Sequence, residues 1–177
     1  YHSDLVAPSP IKSPINRDVP TELSNEDIIC TIQDYADTAK RAVEAGYDGL
    51  EIMGSEGYLM SQFLAEYTNH RTDDWGGGWE NRLRFPIAVT NAVRKALGPD
   101  AILSFRMSAL DLVKGGMTNS QVLELAKALE GAGVDMLSTG VGWHESAVPT
   151  ITGVVTHAGF ADAMKAIKKV VSIPVVA

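Results

Sequence analysis

Three side chains in this sequence have the types and settings that proton transfer or anion binding requires. Tyr58 comes directly after the glycine-flanked turn 54–57, at the end of a short apolar segment, where a phenol can donate a proton. His144 follows a glycine and a tryptophan, and the neighbouring Glu145 could orient or charge its imidazole. Arg106 lies within an otherwise apolar segment, and a buried arginine is costly unless it faces an anion. These residues predict a site that protonates its ligand and stabilises negative charge.

Each of these residues also has a purely structural explanation. Tyr58 could cap the end of the fold with its hydroxyl in water, and His144 could be a histidine of a surface loop. Arg106 could form an ion pair with Glu51 or Asp111 instead of holding an anionic ligand. The sequence alone leaves both explanations open for each residue.

The composition disfavours several classes of partner and site. The chain has 177 residues, enough for one domain with its own core, and a net charge of −7 that disfavours nucleic acid and anionic membranes as partners. No apolar run approaches the roughly 20 residues that span a bilayer. The single cysteine, Cys30, allows no disulfide within the chain, which fits a cytoplasmic protein. No histidine or carboxylate pair has metal-ligand spacing, so we expect no metal site.

The spacing of apolar residues predicts alternating helices and strands. Four prolines make residues 1–24 an irregular loop, and Ser24 followed by Asp27 predicts a helix N-terminus. Four helices are expected, the first between Ser24 and Gly46 and the others at about 80–97, 119–131 and 159–170. Each precedes a strand, and the strands are expected at about 48–53, 101–107, 134–139 and 173–177.

This alternation predicts an α/β fold with a parallel sheet and right-handed crossovers. A weak repeat with an offset of 87 residues relates Ala45-Gly46 to Ala132-Gly133 and favours a (β/α) barrel over a doubly wound sheet. No G-x-G-x-x-G motif follows a strand. A closed barrel needs eight strands, so four helix–strand units predict about half of a (β/α)8 TIM barrel. The polar residues cluster after the strands, at the end where barrel enzymes carry their active sites.

Six motifs together resemble the Old Yellow Enzyme superfamily. They extend over essentially the whole chain: Gly-Ser-Glu-Gly-Tyr-Leu at 54–59, Asn69-x-Arg71-x-Asp73-x-Trp75-Gly76-Gly77, Asn81-Arg82 with Arg84-Phe85, Phe105-Arg106-Met107-Ser108, Leu110-Asp111-Leu112-Val113 and Gly142-Trp143-His144-Glu145. Their combination is specific, although no single motif is. Three polar residues of the second motif can equally form a network that braces a long loop: Asn69, Arg71 and Asp73.

The resemblance implies an FMN-binding (β/α)8 barrel of which this chain supplies roughly strands four to seven. It implies that Tyr58 donates a proton and that His144 assists it and lies against the substrate. Arg106 matches the arginine that contacts the flavin ring, where a fixed cation stabilises the reduced, anionic flavin. We also expect Glu145 and Ser146, which follow His144, to contact a small-molecule acyl-CoA substrate. NADPH, FAD and a 4Fe–4S cluster are implied for the parent polypeptide, outside this chain.

Two departures from the superfamily pattern narrow the expected subgroup. Ordinary ene-reductases carry a histidine pair, or a histidine and an asparagine, where this sequence has Met53 and Glu56. The Tyr58 and His144 arrangement instead resembles the bacterial, NADPH-dependent 2,4-dienoyl-CoA reductases. The second departure is Tyr67, where close relatives often have an arginine thought to touch the substrate.

Three other interpretations are compatible with the same residues. The chain could belong to another flavin barrel, such as an amine dehydrogenase or a general ene-reductase. It could also be an inactive half-barrel, because both ends suggest a piece of a longer polypeptide. In that case we expect it to bind FMN poorly and to self-associate through open strand edges.

Overall fold

The computed structural model describes residues 5–148 and 155–177, which form a parallel sheet with helices on one face. The elements in chain order are β1 (Val6–Ala7), β2 (Thr21–Glu22), α1 (Asn25–Glu44), β3 (Gly49–Gly54), α2 (Leu59–Leu64), α3 (Trp79–Leu97), β4 (Ile102–Leu110), α4 (Asn119–Gly131), β5 (Met136–Val141), α5 (Ala161–Lys168) and β6 (Val175–Val176). Strands β3, β4, β5 and β6 lie side by side in that order, all parallel. This is the arrangement of four consecutive units of a (β/α)8 barrel.

Side-chain hydrogen bonds fix where two of the long helices begin. The Ser24 hydroxyl accepts a hydrogen bond from the Asp27 amide at 3.1 Å, and the Ser24 amide donates to the Asp27 carboxylate at 3.0 Å. Thr118 and Gln121 form the same reciprocal pair at the start of α4. Each pair satisfies amide groups that a helix leaves without partners, so both helices start at defined residues.

The two faces of the sheet differ in polarity because side chains alternate along a strand. In β4, Leu103, Phe105 and Met107 are fully buried, within the core that the helices cover. The residues between them face the other way, and the strand register places Met53, Arg106 and Ser138 side by side in one row. The helix-free face therefore carries the polar and charged side chains of the strands.

Aromatic and aliphatic side chains of α2, α3 and α4 form the centre of the core. Phe63 and Phe85 stack with their ring centroids 4.1 Å apart, and both are fully buried. Leu125 and Leu129 of α4 are buried in the same cluster. Burial of each such side chain stabilises the fold by about 1.5–3 kcal/mol, which holds the helices against the sheet.

The predicted α/β fold with four helix–strand units is confirmed, with shifts at element ends. Strand β4 continues to Leu110, and β5 covers Met136–Val141 instead of 134–139, because its glycine does not interrupt the ladder. The last helix is shorter than 159–170. Gly46 and Gly133, the glycines of the repeat, both follow a helix with φ near 90°, at 88° and 90°.

Two features were not predicted from the sequence. Helix α2 has only six residues, too few for a periodic pattern to show. Residues 5–24 are irregular as predicted, but β1 and β2 pair in parallel within them. No helix of the described ranges is long and apolar enough to cross a membrane. The outer edge of β3 pairs with no other described strand, and self-association through strand edges stays a prediction.

Two glycine substitutions should have opposite effects on stability. A Cβ at Gly54 would lie 2.1 Å from the Phe105 ring, so Gly54→Ala forces the packed core apart and should lower the free energy of unfolding by about 1–3 kcal/mol. A Cβ at Gly131 meets nothing within 4 Å, and alanine suits a helix better than glycine. Gly131→Ala should therefore be neutral or stabilising. Urea unfolding of both variants checks this, and equal effects would contradict the close approach of β3 to Phe105.

Candidate active site

Tyr58 and His144 meet at the carboxyl end of the sheet although 86 residues separate them. Tyr58 is the residue before α2, directly after the turn that follows β3, and His144 lies in the loop after β5. The Tyr58 hydroxyl lies 3.0 Å from Nε2 of His144, and the rings meet edge to face with centroids 5.3 Å apart. Both side chains are about half exposed, Tyr58 by 48%. The pair is thus hydrogen-bonded and open to a ligand.

Glu56 connects this pair to Arg106. Its Oε1 accepts hydrogen bonds from Nε and Nη2 of Arg106 at 3.1 and 2.8 Å, and its Oε2 lies 3.7 Å from Nε2 of His144. The alternative explanation of Arg106, an ion pair with Glu51 or Asp111, is wrong in its partners, because the ion pair is with Glu56. Glu51 instead accepts a hydrogen bond from the Ser104 hydroxyl at 2.7 Å.

The backbone of the turn after β3 explains how Glu56 reaches both partners. Glu56 has a φ of 65°, a left-handed conformation that is uncommon outside glycine. Ser61 stabilises the turn, because its hydroxyl accepts from the Gly57 amide at 3.0 Å and donates to the Tyr58 carbonyl at 2.9 Å. The His144 amide donates to the Glu56 carbonyl at 3.2 Å, which ties the loop after β5 to this turn.

Glu145 and Ser146 each form a hydrogen bond within this chain, and their expected contact with a substrate stays a prediction. The Glu145 carboxylate accepts a hydrogen bond from the Ser13 hydroxyl at 2.8 Å, so the carboxylate beside the His144 imidazole is Glu56 and not Glu145. Burial raises the pKa of Tyr67, and the nearby Glu145 carboxylate raises it further. Ser146 donates to the Val148 carbonyl at 2.9 Å and does not line the cavity beside Tyr58.

A cavity of about 200 Å³ lies beside Tyr58 and His144. Segment 5–20 forms one wall, and the turn after β3, Tyr67 and residues 143–145 form the rest. Much of the lining is apolar or aromatic: Leu5, Val6, Ile11, Ile15, Tyr67 and Trp143. Several of these side chains are solvent-exposed, Ile15 by 60%. An apolar ligand of modest size could therefore bind against this wall, next to the hydrogen-bonded pair.

Arg71 anchors the wall of the cavity. Its Nη1 donates to the carbonyls of Pro8 and Leu23 at 3.1 and 2.6 Å, while Nε and Nη2 bind the Asp73 carboxylate. The hydrogen bonds from Arg71 are the main reason that the pKa of Asp73 is lowered. Asn69 donates to the Phe63 and Trp75 carbonyls. The predicted network is present, and it braces the loop that holds segment 5–20.

Cys30 and Asp111 do not line this cavity. Cys30 lies on α1, within the first predicted helix, and its side chain is exposed. Within residues 5–148 and 155–177, no group of three or more histidines, cysteines or carboxylates could hold a metal ion. Asp111 is buried, and burial raises the pKa of its carboxyl group, while hydrogen bonds from the Met117 amide and the Trp143 indole act in the opposite direction.

The sequence as a whole matches a family of known proteins. A sequence model of the NADH:flavin oxidoreductase / NADH oxidase family matches residues 3–177. This chain belongs to that family.

Individual relatives agree with this assignment. A metal reductase of Desulforamulus reducens is 43% identical over 172 residues, which cover 97% of this chain and 26% of the relative. A structure of 2-naphthoyl-CoA reductase in complex with 2-naphthoyl-CoA matches with a TM-score of 0.93 at 36% identity, over 97% of this chain and 26% of that one. The old yellow enzyme homologue from Zymomonas mobilis matches with a TM-score of 0.78 at 28% identity, over 97% of this chain and 50% of that one.

These matches confirm the resemblance to the Old Yellow Enzyme superfamily. They also show how much of each relative the chain represents, since it spans between a quarter and a half of their length. The similarity covers the parallel sheet with its helices and the loops that carry Tyr58 and His144.

The described residue that best suits a flavin is Arg106. Arg106 is the one cationic side chain within β3, β4, β5 and β6, and it lies on their helix-free face. Its Nη1 donates no hydrogen bond to any residue in the described ranges, while Nε and Nη2 are bound to Glu56. A guanidinium that is one-third exposed and has an unpaired N–H group among the described residues suits the carbonyl oxygens of a flavin ring and the negative charge of its reduced form. The residues present therefore fit part of a flavin site.

Replacing Arg71 should loosen the cavity wall. Arg71→Lys keeps the charge but removes the planar fork that reaches Asp73, Pro8 and Leu23 together, so amide hydrogen exchange in residues 5–23 should accelerate about tenfold. Mass spectrometry of the exchanged peptides measures this. Arg84→Lys is the matched control, because Arg84 is 48% exposed and its polar partners among the described residues are Asn81 and Asp74. Equal protection in both variants would contradict the anchoring role.

Proposed function

We propose that this protein is a flavin-dependent reductase that adds hydrogen across an activated carbon–carbon double bond of a 2,4-dienoyl-CoA or a similar unsaturated thioester. The observation that carries the proposal is the hydrogen bond between Tyr58 and His144 at the carboxyl end of the sheet. Tyr58, the proposed proton donor, lines a largely apolar cavity, and Glu56 connects the pair to Arg106, the proposed flavin contact. Membership in the NADH:flavin oxidoreductase family supports the same chemistry.

Arg106 would hold the flavin, and FMN bound there would supply the hydride. The arginine gives a fixed positive charge that favours the reduced over the oxidised flavin. Glu56 partly neutralises that charge through its two hydrogen bonds with Arg106. Glu56 thereby aligns the guanidinium, and it leaves Nη1 available to the flavin.

Tyr58, assisted by His144, would protonate the dienolate that hydride transfer to the substrate leaves. His144, whose Nε2 lies 3.0 Å from the Tyr58 hydroxyl, can return a proton to the phenolate or stabilise it. Oε2 of Glu56 lies 3.7 Å from the same Nε2 of His144. The three residues therefore form a proton-transfer chain from the strand face to the substrate.

The shape and lining of the site favour a thioester over a small enone. Met53 and Glu56 stand where ordinary ene-reductases of the superfamily carry the residues that grip a substrate carbonyl, so Tyr58 and His144 must recognise the substrate instead. The adjacent cavity offers an apolar wall for an acyl or aryl group. The neighbouring 2-naphthoyl-CoA reductase structure contains a CoA thioester of an unsaturated ring, which supports this substrate class.

The rest of the electron pathway is proposed by resemblance. NADPH would be the reductant, and FAD and a 4Fe–4S cluster would connect it to the barrel in a longer polypeptide. The described residues contain no cysteine cluster for such a centre, so its ligands would lie elsewhere. A cytoplasmic location remains part of the same proposal. Within this chain, FMN and the acyl-CoA are the only ligands that the site requires.

Tyr58→Phe should separate the two half-reactions in the purified, flavin-loaded longer polypeptide that the electron pathway requires. Flavin reduction by NADPH should continue at the wild-type rate, because the substitution leaves Arg106 in place. Reoxidation by a 2,4-dienoyl-CoA should slow by about 10²–10⁴-fold, because the proton donor is lost. Anaerobic stopped-flow absorbance measures both rates.

Tyr47→Phe is the matched control for this experiment. Tyr47 is 68% exposed in the turn between α1 and β3, at the opposite end of the strands, and should behave as wild type. Unchanged reoxidation in Tyr58→Phe would refute the proton-donor role of Tyr58.

Arg106→Met should weaken flavin retention. The variant removes the strand cation and leaves Glu56 without its partner, so FMN content after dialysis should fall about tenfold or more. Arg106→Lys should recover part of the loss, because it restores the charge without the fork. Full flavin content in Arg106→Met would place the flavin away from this face.

A further inference from the structure

Asp111 accepts hydrogen bonds from both the side chain and the backbone of Trp143. It follows the last residue of β4, and only 3% of its surface is exposed. Its Oδ1 accepts a hydrogen bond from the Trp143 indole Nε1 at 2.8 Å, and its backbone carbonyl accepts from the Trp143 amide at 3.0 Å. Oδ2 accepts from the Met117 amide at 2.6 Å. One buried carboxylate thus joins the loop after β4 to the loop after β5.

The loop after β4 closes tightly around this carboxylate. A Cβ at Gly116 would lie 2.6 Å from the Asp111 Cβ, and Leu112 has a left-handed φ of 54°. Within the described ranges Asp111 forms no ion pair, so two N–H groups are the main compensation for burying its charge. The geometry therefore fixes the position of the carboxylate within a small volume.

Trp143 in turn contacts the turn that carries Tyr58. Its indole is 3% exposed and packs on Gly57, where a Cβ would lie 3.1 Å from the ring. Gly57 immediately precedes Tyr58, and Trp143 immediately precedes His144. The indole therefore sets the distance between the turn after β3 and the loop after β5, next to Tyr58 and His144.

We propose that Asp111 is a positioning residue, which fixes the Trp143 indole and through it holds His144 against Tyr58. This inference rests on the proposed function for its kinetic consequence only, because the geometry of the Tyr58–His144 pair can be measured without turnover. Asp111 touches neither residue of the pair. It acts by setting where the loop after β5 meets the turn after β3.

Two substitutions interrupt this chain of contacts at different points. Asp111→Asn keeps the volume, but the amide has one oxygen and one NH₂ group, so one of the two N–H donors would face another donor. Trp143→Phe removes the indole N–H and keeps an aromatic ring against Gly57. Asp135→Asn is the matched control. Like Asp111, Asp135 accepts a hydrogen bond from a backbone amide, that of Leu103, and it also pairs with Arg94, but it lies at the opposite end of the sheet.

The first readout is the contact between the Tyr58 and His144 rings in the purified protein. Selective ¹³C labelling of the histidine and tyrosine rings gives a nuclear Overhauser effect between them, because their centroids are 5.3 Å apart. Asp111→Asn and Trp143→Phe should each weaken this signal at least about twofold, and the double variant should be no weaker than Asp111→Asn. Asp135→Asn should match wild type.

The second readout compares the rates of the two half-reactions, flavin reduction by NADPH and flavin reoxidation by the thioester. Asp111→Asn and Trp143→Phe should slow flavin reoxidation by the unsaturated thioester about 10–100-fold, with flavin reduction by NADPH unchanged. A general loss of folding would slow both. If Asp111→Asn does not fold, Trp143→Phe decides alone.

An undiminished ring-to-ring signal in folded Trp143→Phe, or additive losses in the double variant, would overturn the positioning role. If the wild type shows the ring contact but reduces no thioester, the proposed function fails while the positioning role is still decided by the magnetic resonance signal.

Discussion

The parallel register of β3, β4 and β5 is the constraint on which the rest of this structure depends. Because the three strands run in one direction, the segments that follow β3 and β5 emerge at the same edge of the sheet. Residues far apart in the sequence then meet, as Tyr58 and His144 do across 86 positions. The same register aligns Met53, Arg106 and Ser138 on the face that the helices leave free. A shift of one residue in β4 would turn Arg106 towards the apolar core.

The ion pair with Glu56 stabilises Arg106 on the helix-free face of the sheet. Arg106 is one-third exposed and Glu56 less than one-fifth, so their hydrogen bonds form where water screens them only in part. Glu56 adopts a left-handed conformation to reach the guanidinium, which costs about 1–2 kcal/mol of backbone strain. A non-glycine residue in this conformation at the end of a strand is typical of functional sites. In this family member the strain places one carboxylate between a cation and an imidazole.

The sequence predicted the fold because helix and strand patterns are local, and it selected Tyr58 and His144, which the structure brings together while their catalytic roles stay predictions. Helical periodicity and strand length located four helix–strand units, and the rule that parallel strands end at one edge placed Tyr58, Arg106 and His144 in one region. The partner of Arg106 was missed, since it depends on the φ of Glu56, and no pattern of residue types encodes that angle. The cavity wall was missed because segment 5–20 reaches the site only through long-range hydrogen bonds, above all those of Arg71.

The most direct test of the proposed function is an anaerobic absorbance titration of the purified full-length parent polypeptide that contains this chain. NADPH should bleach the visible absorbance of a bound flavin, and a 2,4-dienoyl-CoA added afterwards should restore it, whereas a saturated acyl-CoA of equal length should not. A protein with no flavin absorbance, or a reduced flavin that the unsaturated thioester does not reoxidise, would contradict the account.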